Sequence, residues 1–137
     1  MPADALRARY LADAVATATP ARRIVLLYDR LWLDIQRAQA ASDAGEPARD
    51  HLQHAQQIIA ELLGSLDLAG WPGGANLASL YAYVLNELIS EAGQSRPGRL
   101  ALITKIVSDL RSTWQQAEEQ LAAGEPAATA ESVVRVG

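Results

Sequence analysis

The 137-residue sequence has no cysteine, no phenylalanine and a single lysine, Lys105. Without cysteine there is no disulfide, no zinc ribbon, no thiol redox pair and no cysteine nucleophile. Aromatic residues make up 5% of the chain. The apolar half is mostly alanine and leucine, which favour helix, whereas strands favour β-branched and aromatic side chains. Positive charge is scarce and forms no run: 12 Lys and Arg stand against 16 Asp and Glu, a net charge of -4. Phosphate backbones are held by clustered Lys and Arg, so no nucleic acid is expected as partner. No stretch approaches the ~18 consecutive apolar residues of a membrane span, so no membrane insertion is expected. Asp4, Arg7, Arg9 and Asp13 are scattered through the first fifteen residues, unlike the charged-then-apolar order of a signal peptide. The expected location is the cytoplasm.

What is present is helical period broken by four stops. Thr19-Pro20, Gly45-Glu46-Pro47, Gly70-Trp71-Pro72-Gly73-Gly74, and Gly93 to Gly98 around Pro97 each join a helix stop to a helix start. Between them run four apolar stripes at three- and four-residue steps. The first is Ile24, Leu27, Tyr28, Leu31, Ile35 and Ala38. The second is Leu52, Ala55, Ile59, Leu62 and Leu66. The third is Leu77, Tyr81, Val84 and Leu88, with Leu80 alongside. The fourth is Ile103, Val107, Leu110, Trp114, Ala117 and Leu121. Each stripe occupies one helix face, and none shows the two-residue alternation of a strand. Short connections make neighbouring helices antiparallel. The expected fold is all-α: an antiparallel up-and-down four-helix bundle over residues 20–123. A short amphipathic N-terminal capping segment, 1–19, precedes it. A flexible, disordered tail, 124–137, follows it, rich in Pro, Ala, Thr, Glu and Ser.

The apolar residues exceed what one core stripe per helix needs. Val25, Leu26, Trp32, Leu33, Ile58, Leu63, Tyr83, Leu85, Ile89, Leu100, Leu102 and Ile106 lie outside the stripes. Some belong at stripe edges. The remainder would form a second apolar surface, which a monomer rarely shows unless it binds something.

Catalytic patterns are sparse. His51 and His54 share a helix face, but a metal site needs three or four convergent ligands, and no Glu-x-x-His pair exists. No metal or cofactor is expected. Arg49 and His54 have an Arg-x4-His spacing that resembles the motif of HEPN-type ribonucleases, small helical bundles whose RNA cleft must be electropositive; this chain is acidic. No Gly-x-Ser-x-Gly elbow and no phosphate-binding Gly-rich loop occurs. The chain is read as a non-enzyme, with a HEPN-like ribonuclease or a generic helical-bundle adaptor as the alternatives.

An ordered set of short matches gives a more specific reading. Tyr10 is followed by Ala18-Thr19-Pro20 and Leu27-Tyr28-Asp29. Then come Ala55-Gln56, Ile58-Ile59, Glu61-Leu62 and Ser65-Leu66-Asp67. Asn76-Leu77, Leu80-Tyr81 and Tyr83 follow, and Leu110-Arg111, Trp114 and Ala117 close the set. In this the chain resembles the flagellar export chaperone family FliS, from about residue 10 to residue 117. It departs from the family pattern where Arg22-Arg23 replaces a Glu-Lys pair, and in a short Asp67 to Asn76 loop. The resemblance implies a cytoplasmic helical bundle that binds the C-terminal segment of flagellin. It would prevent premature polymerisation and assist delivery to the flagellar type III export gate, a second partner. Such a role needs the second apolar surface. The partner-binding residues expected on it are Leu6, Tyr10, Leu26, Tyr28, Leu33, Ile58, Tyr83 and Ile89.

Overall fold

The computed structural model describes residues 3–9, 20–66 and 74–124. Tyr10, the linker to Thr19, Trp71 and the expected tail beyond Gly124 lie outside the described residues. Five helices follow in order: α1 (residues 3–9), α2 (Pro20–Asp43), α3 (Arg49–Gly64), α4 (Gly74–Gly93) and α5 (Arg99–Ala122). No strand occurs among the described residues. α2 begins at Pro20, whose ring already holds a helical φ and whose missing N–H costs nothing in the first turn. Two of the stops work through glycine: Gly45 and Gly98 have φ of 72° and 82°, a left-handed geometry that side chains with a Cβ rarely adopt.

The buried residues repeat at alternating steps of three and four. On α2 they are Ala21, Ile24, Tyr28, Leu31, Ile35 and Ala38; on α4 they are Gly74, Leu77, Tyr81, Val84, Leu88 and Glu91. On α3 Leu52, Ala55, Ile59 and Leu62 keep the same rhythm, as do Leu100, Ile103, Val107 and Trp114 on α5, with Leu110 and Ala117 packed at its edge. This is the seven-residue repeat of coiled-coil packing, in which one seam per helix faces the centre. α2 packs closely on α3 and α5, and α3 on α4, whereas α4 and α5 approach each other far less. The bundle is therefore tight on three sides and loose on the fourth.

A polar ladder fixes the α2–α5 register. The Arg22 guanidinium donates to Glu118, the Arg111 Nε donates to Asp29 at 2.6 Å, and the Gln36 amide donates to Thr104 at 3.3 Å. Each step of seven up α2 is matched by seven down α5, as antiparallel helices require. The Arg111 guanidinium also lies over the Trp32 ring, 5.2 Å from its centroid. At the bundle centre the Tyr28 and Tyr81 hydroxyls hydrogen-bond to each other across the core, and Tyr28 stacks on Trp114 at 6.4 Å.

Two expected surface residues are core residues. Tyr28 is fully buried and Ile58 is 5% exposed. Tyr28 falls on the α2 core seam itself, and its hydroxyl is satisfied inside the bundle by Tyr81. Ile58 lies beside the α3 seam, on the flank that meets α2. Val25 and Leu100, counted outside the stripes, are buried too. All seven residues of α1 are exposed, with Leu6 at 52%.

Two predictions concern this core. Trp114→Ala should cost about 3–5 kcal/mol, because it removes the largest side chain packed on Tyr28; urea melts measure it. Burial pushes both tyrosines above their ordinary range, Tyr81 to about 12 and Tyr28 further still, where burial is reinforced by Tyr81. The unfolded chain releases these protons near pH 10, before the folded chain does. The stability they carry is thus complete below pH 10 and is lost as pH rises through 12. The double variant Tyr28→Phe/Tyr81→Phe should lose this alkaline decline. Either single variant, which strands one hydroxyl in the core, should be less stable at neutral pH than the double.

Candidate functional site

The loose fourth side is the candidate site. Its orientation follows from one ion pair: Arg99 at the start of α5 contacts Glu87 of α4 at 3.5 Å and Glu91 at 3.3 Å. Glu87 therefore lies on the flank of α4 turned to α5. Tyr83 and Leu80, four and seven residues earlier, share that flank. On α5 the matching positions are Leu102 and Ile106, three and seven residues after Arg99. Tyr83 and Leu102 are exposed, at 42% and 47%, and Leu80 and Ile106 are half-buried. The result is a shallow apolar groove between two helices that do not close on each other. One end is closed by the Arg99–Glu87–Glu91 cluster.

The expected partner residues distribute unevenly. Tyr83 lies in this groove. Ile89, 50% exposed, lies on the opposite flank of α4, towards α3. Leu26 and Leu33 are half-buried on the outside of α2 and do not join the core. Leu6 is exposed on α1. Tyr28 and Ile58 are buried inside the bundle. Leu102, one of the apolar residues outside the stripes, was not singled out from sequence. Only the loose α4–α5 seam distinguishes it from an ordinary stripe-edge leucine.

Polar chemistry is concentrated at two buried carboxylates. Asp34, 1% exposed, accepts a hydrogen bond from the His54 ring and an ion pair from Arg30 at 3.3 Å. This locks α2 to α3 through a half-exposed histidine. Glu91 is buried at the turn into α5 and accepts from the Ser95 hydroxyl at 2.7 Å, the Arg96 N–H at 3.1 Å and Arg99. It ties down the loop between α4 and α5. Beside it a cleft of about 290 Å³ opens at the bundle end, lined among others by Glu46, Arg49, Leu52 and Glu91. Both Glu91 oxygens are already engaged by the loop. Arg49 lines this cleft while His54, five residues on, turns to Asp34, so the two residues of the ribonuclease-like spacing do not converge. Among the described residues no three of His, Asp and Glu gather to hold a metal ion.

Among protein-family models, residues 2–121 match that described as flagellar protein FliS. A comparison with curated proteins gives no match.

A prediction separates a structural from a chemical role for His54. His54→Ala leaves the buried Asp34 carboxylate with Arg30 alone. It should lower stability in denaturant melts by about 1–3 kcal/mol, the cost of an underbonded buried acceptor, while leaving partner binding by the folded fraction unchanged.

Proposed function

Because the chain belongs to the FliS family of flagellar chaperones, we propose that it binds the C-terminal segment of flagellin in the cytoplasm, holding that segment in the groove between α4 and α5. The observation that carries this is the exposed pair Tyr83 and Leu102, on facing flanks of the one seam that the bundle leaves loose. A chaperone for a polymerising subunit must cover an apolar helix face until delivery, and a groove between two helices receives such a face as a third helix. Each large apolar side chain buried there contributes ~1.5–3 kcal/mol, against ~2–5 kcal/mol for ordering the incoming segment. A few anchors suffice, and Tyr83 is the best placed: its ring is apolar and its hydroxyl tolerates a wet edge. Ile89 and Leu6 extend the contact to a partner longer than one groove. Covering the segment prevents premature polymerisation. Handing it to the flagellar export gate then requires only that a competing surface take the same face.

Calorimetry with a peptide spanning the flagellin C-terminal segment tests this. The wild-type protein should bind it, and Tyr83→Ser/Leu102→Ser should weaken binding by about tenfold or more with the fold intact. Because apolar burial dominates, moving from low to physiological salt should change the affinity less than tenfold. Unchanged affinity in the double variant removes the groove from the reading; absence of wild-type binding removes flagellin itself.

A further inference from the structure

α2 carries a second surface with different chemistry. Arg23, Arg30 and Arg37 are spaced seven residues apart and all are exposed. Leu26, Leu33 and Ala40 form a parallel column, also seven apart. Both columns point away from the bundle centre. The core seam of α2 runs through Ala21 to Ala38, the flank with Asp29 and Gln36 is bound to α5, and Asp34 on the other flank is bound to α3. Two leucines are thus held half-buried on an outward face without packing against the core. Three guanidiniums line one side of them.

This face is cationic in a chain of net charge -4. Neither arginine nor leucine column contains a carboxylate over three heptads. Among the described residues Arg23 and Arg37 have no ion-pair partner, and Arg30 shares only the buried Asp34, leaving its outer N–H groups to solvent. The carboxylates on the facing flank of α3 are Asp50 and Glu61, four residues before and seven after His54, against the three guanidiniums. Arg23 to Arg37 spans ~21 Å at the helical rise, three turns longer than a single phosphate or carboxylate needs. A ligand matched to it is itself long, periodic and anionic.

We propose that the outer face of α2 docks an acidic amphipathic helix. Its occupant would carry apolar side chains seven residues apart over Leu26 and Leu33, with Asp or Glu one turn to the side opposite Arg23, Arg30 and Arg37. Charge complementarity selects this occupant, since the same leucine column flanked by acids would select a basic one. The surface lies across the bundle from the α4–α5 groove, with α2 and α3 between, so the two sites can be filled together. The proposal does not depend on flagellin being the groove's ligand.

The probe is a labelled peptide of about three heptads with Leu and Glu in this pattern, compared with an isomer of scrambled order. Fluorescence anisotropy on the full chain should show the patterned peptide binding at least about tenfold tighter than its isomer, with the affinity falling as salt rises. Arg23→Glu/Arg37→Glu should weaken it by about tenfold or more, and Leu33→Gln should weaken it as well. Arg23→Gln/Arg37→Gln serves in place of charge reversal if the latter lowers the melting temperature. The proposal is overturned by equal binding of the isomer or by an unaffected arginine variant. It is equally overturned if phosphatidylglycerol-containing vesicles bind through these arginines while the peptide does not, which would make the face a lipid-headgroup surface. Binding of the flagellin segment should be unchanged in the arginine variant. A parallel loss would merge this face with the flagellin site and end its claim to be a separate dock.

Discussion

Four helices can share one core only if each gives it a single narrow seam, and here that constraint is met by alternating steps of three and four along every bundle helix. The consequence reaches beyond stability. A seam that takes two positions in seven leaves five for other purposes. On α2 the flanks are spent on neighbouring helices: Arg22, Asp29 and Gln36 on α5, and Asp34 on α3. On α4 and α5 the corresponding flank positions, Leu80, Tyr83, Leu102 and Ile106, remain apolar and unclosed. The groove is what the heptad leaves over when two helices are tied to their other neighbours more strongly than to each other.

Why the ties are polar rather than apolar is a question of register. A purely aliphatic seam can slide by a heptad at modest cost, because leucine meets leucine again. The ladder between α2 and α5 cannot: a shift of seven would set Arg22 against Arg111 and leave Asp29 without a cation. The Tyr28–Tyr81 hydroxyl pair acts in the same way across the core, since a slip would bury two unmatched hydroxyls. Asp34 and Glu91 are the costliest of these devices. Each is buried and each is answered by two or more donors, which is the condition for a buried carboxylate to be tolerated. With three sides pinned in this way, the fourth can stay loose without the bundle losing its topology.

The helices and their seams were legible because a core position is a local, periodic property: Leu31 or Val107 is marked by its neighbours at three and four residues. The stops at Pro20, Gly45 and Gly98 were legible for the same reason. Tyr28, already part of the first apolar stripe, and Ile58 were also expected at the partner surface; their burial depends on a residue 53 positions away in one case and on the α2–α3 packing in the other. The role of His54 was not legible, since nothing near it in sequence reveals that Asp34 lies across the helix interface. Leu102 is the instructive case for function. Leu100, three residues before Ile103, continues the α5 core seam and is buried, whereas Leu102 lies off that seam and is exposed. How open the flank of Leu102 is depends on how far α4 stands from α5, a quantity no spacing within α5 contains.

The two surfaces differ in the physics by which they could act. The groove is apolar, so its grip scales with area removed from water and responds little to salt or to the charge of what approaches. In the proposed role it would hold an apolar helix face by covering it and discriminate chiefly by shape. The α2 face reverses this: two half-buried leucines offer little area, while guanidiniums at seven-residue spacing act through solvent, speed encounter and reject basic partners. For a chaperone this division is useful. A cargo must be held firmly and without regard to its exact sequence, and a groove does that. A docking partner must be found quickly, recognised and then released, and a charged face does that better than an apolar one. The heptad makes both possible in a small bundle, because the positions it does not need for folding lie on opposite sides of the same four helices.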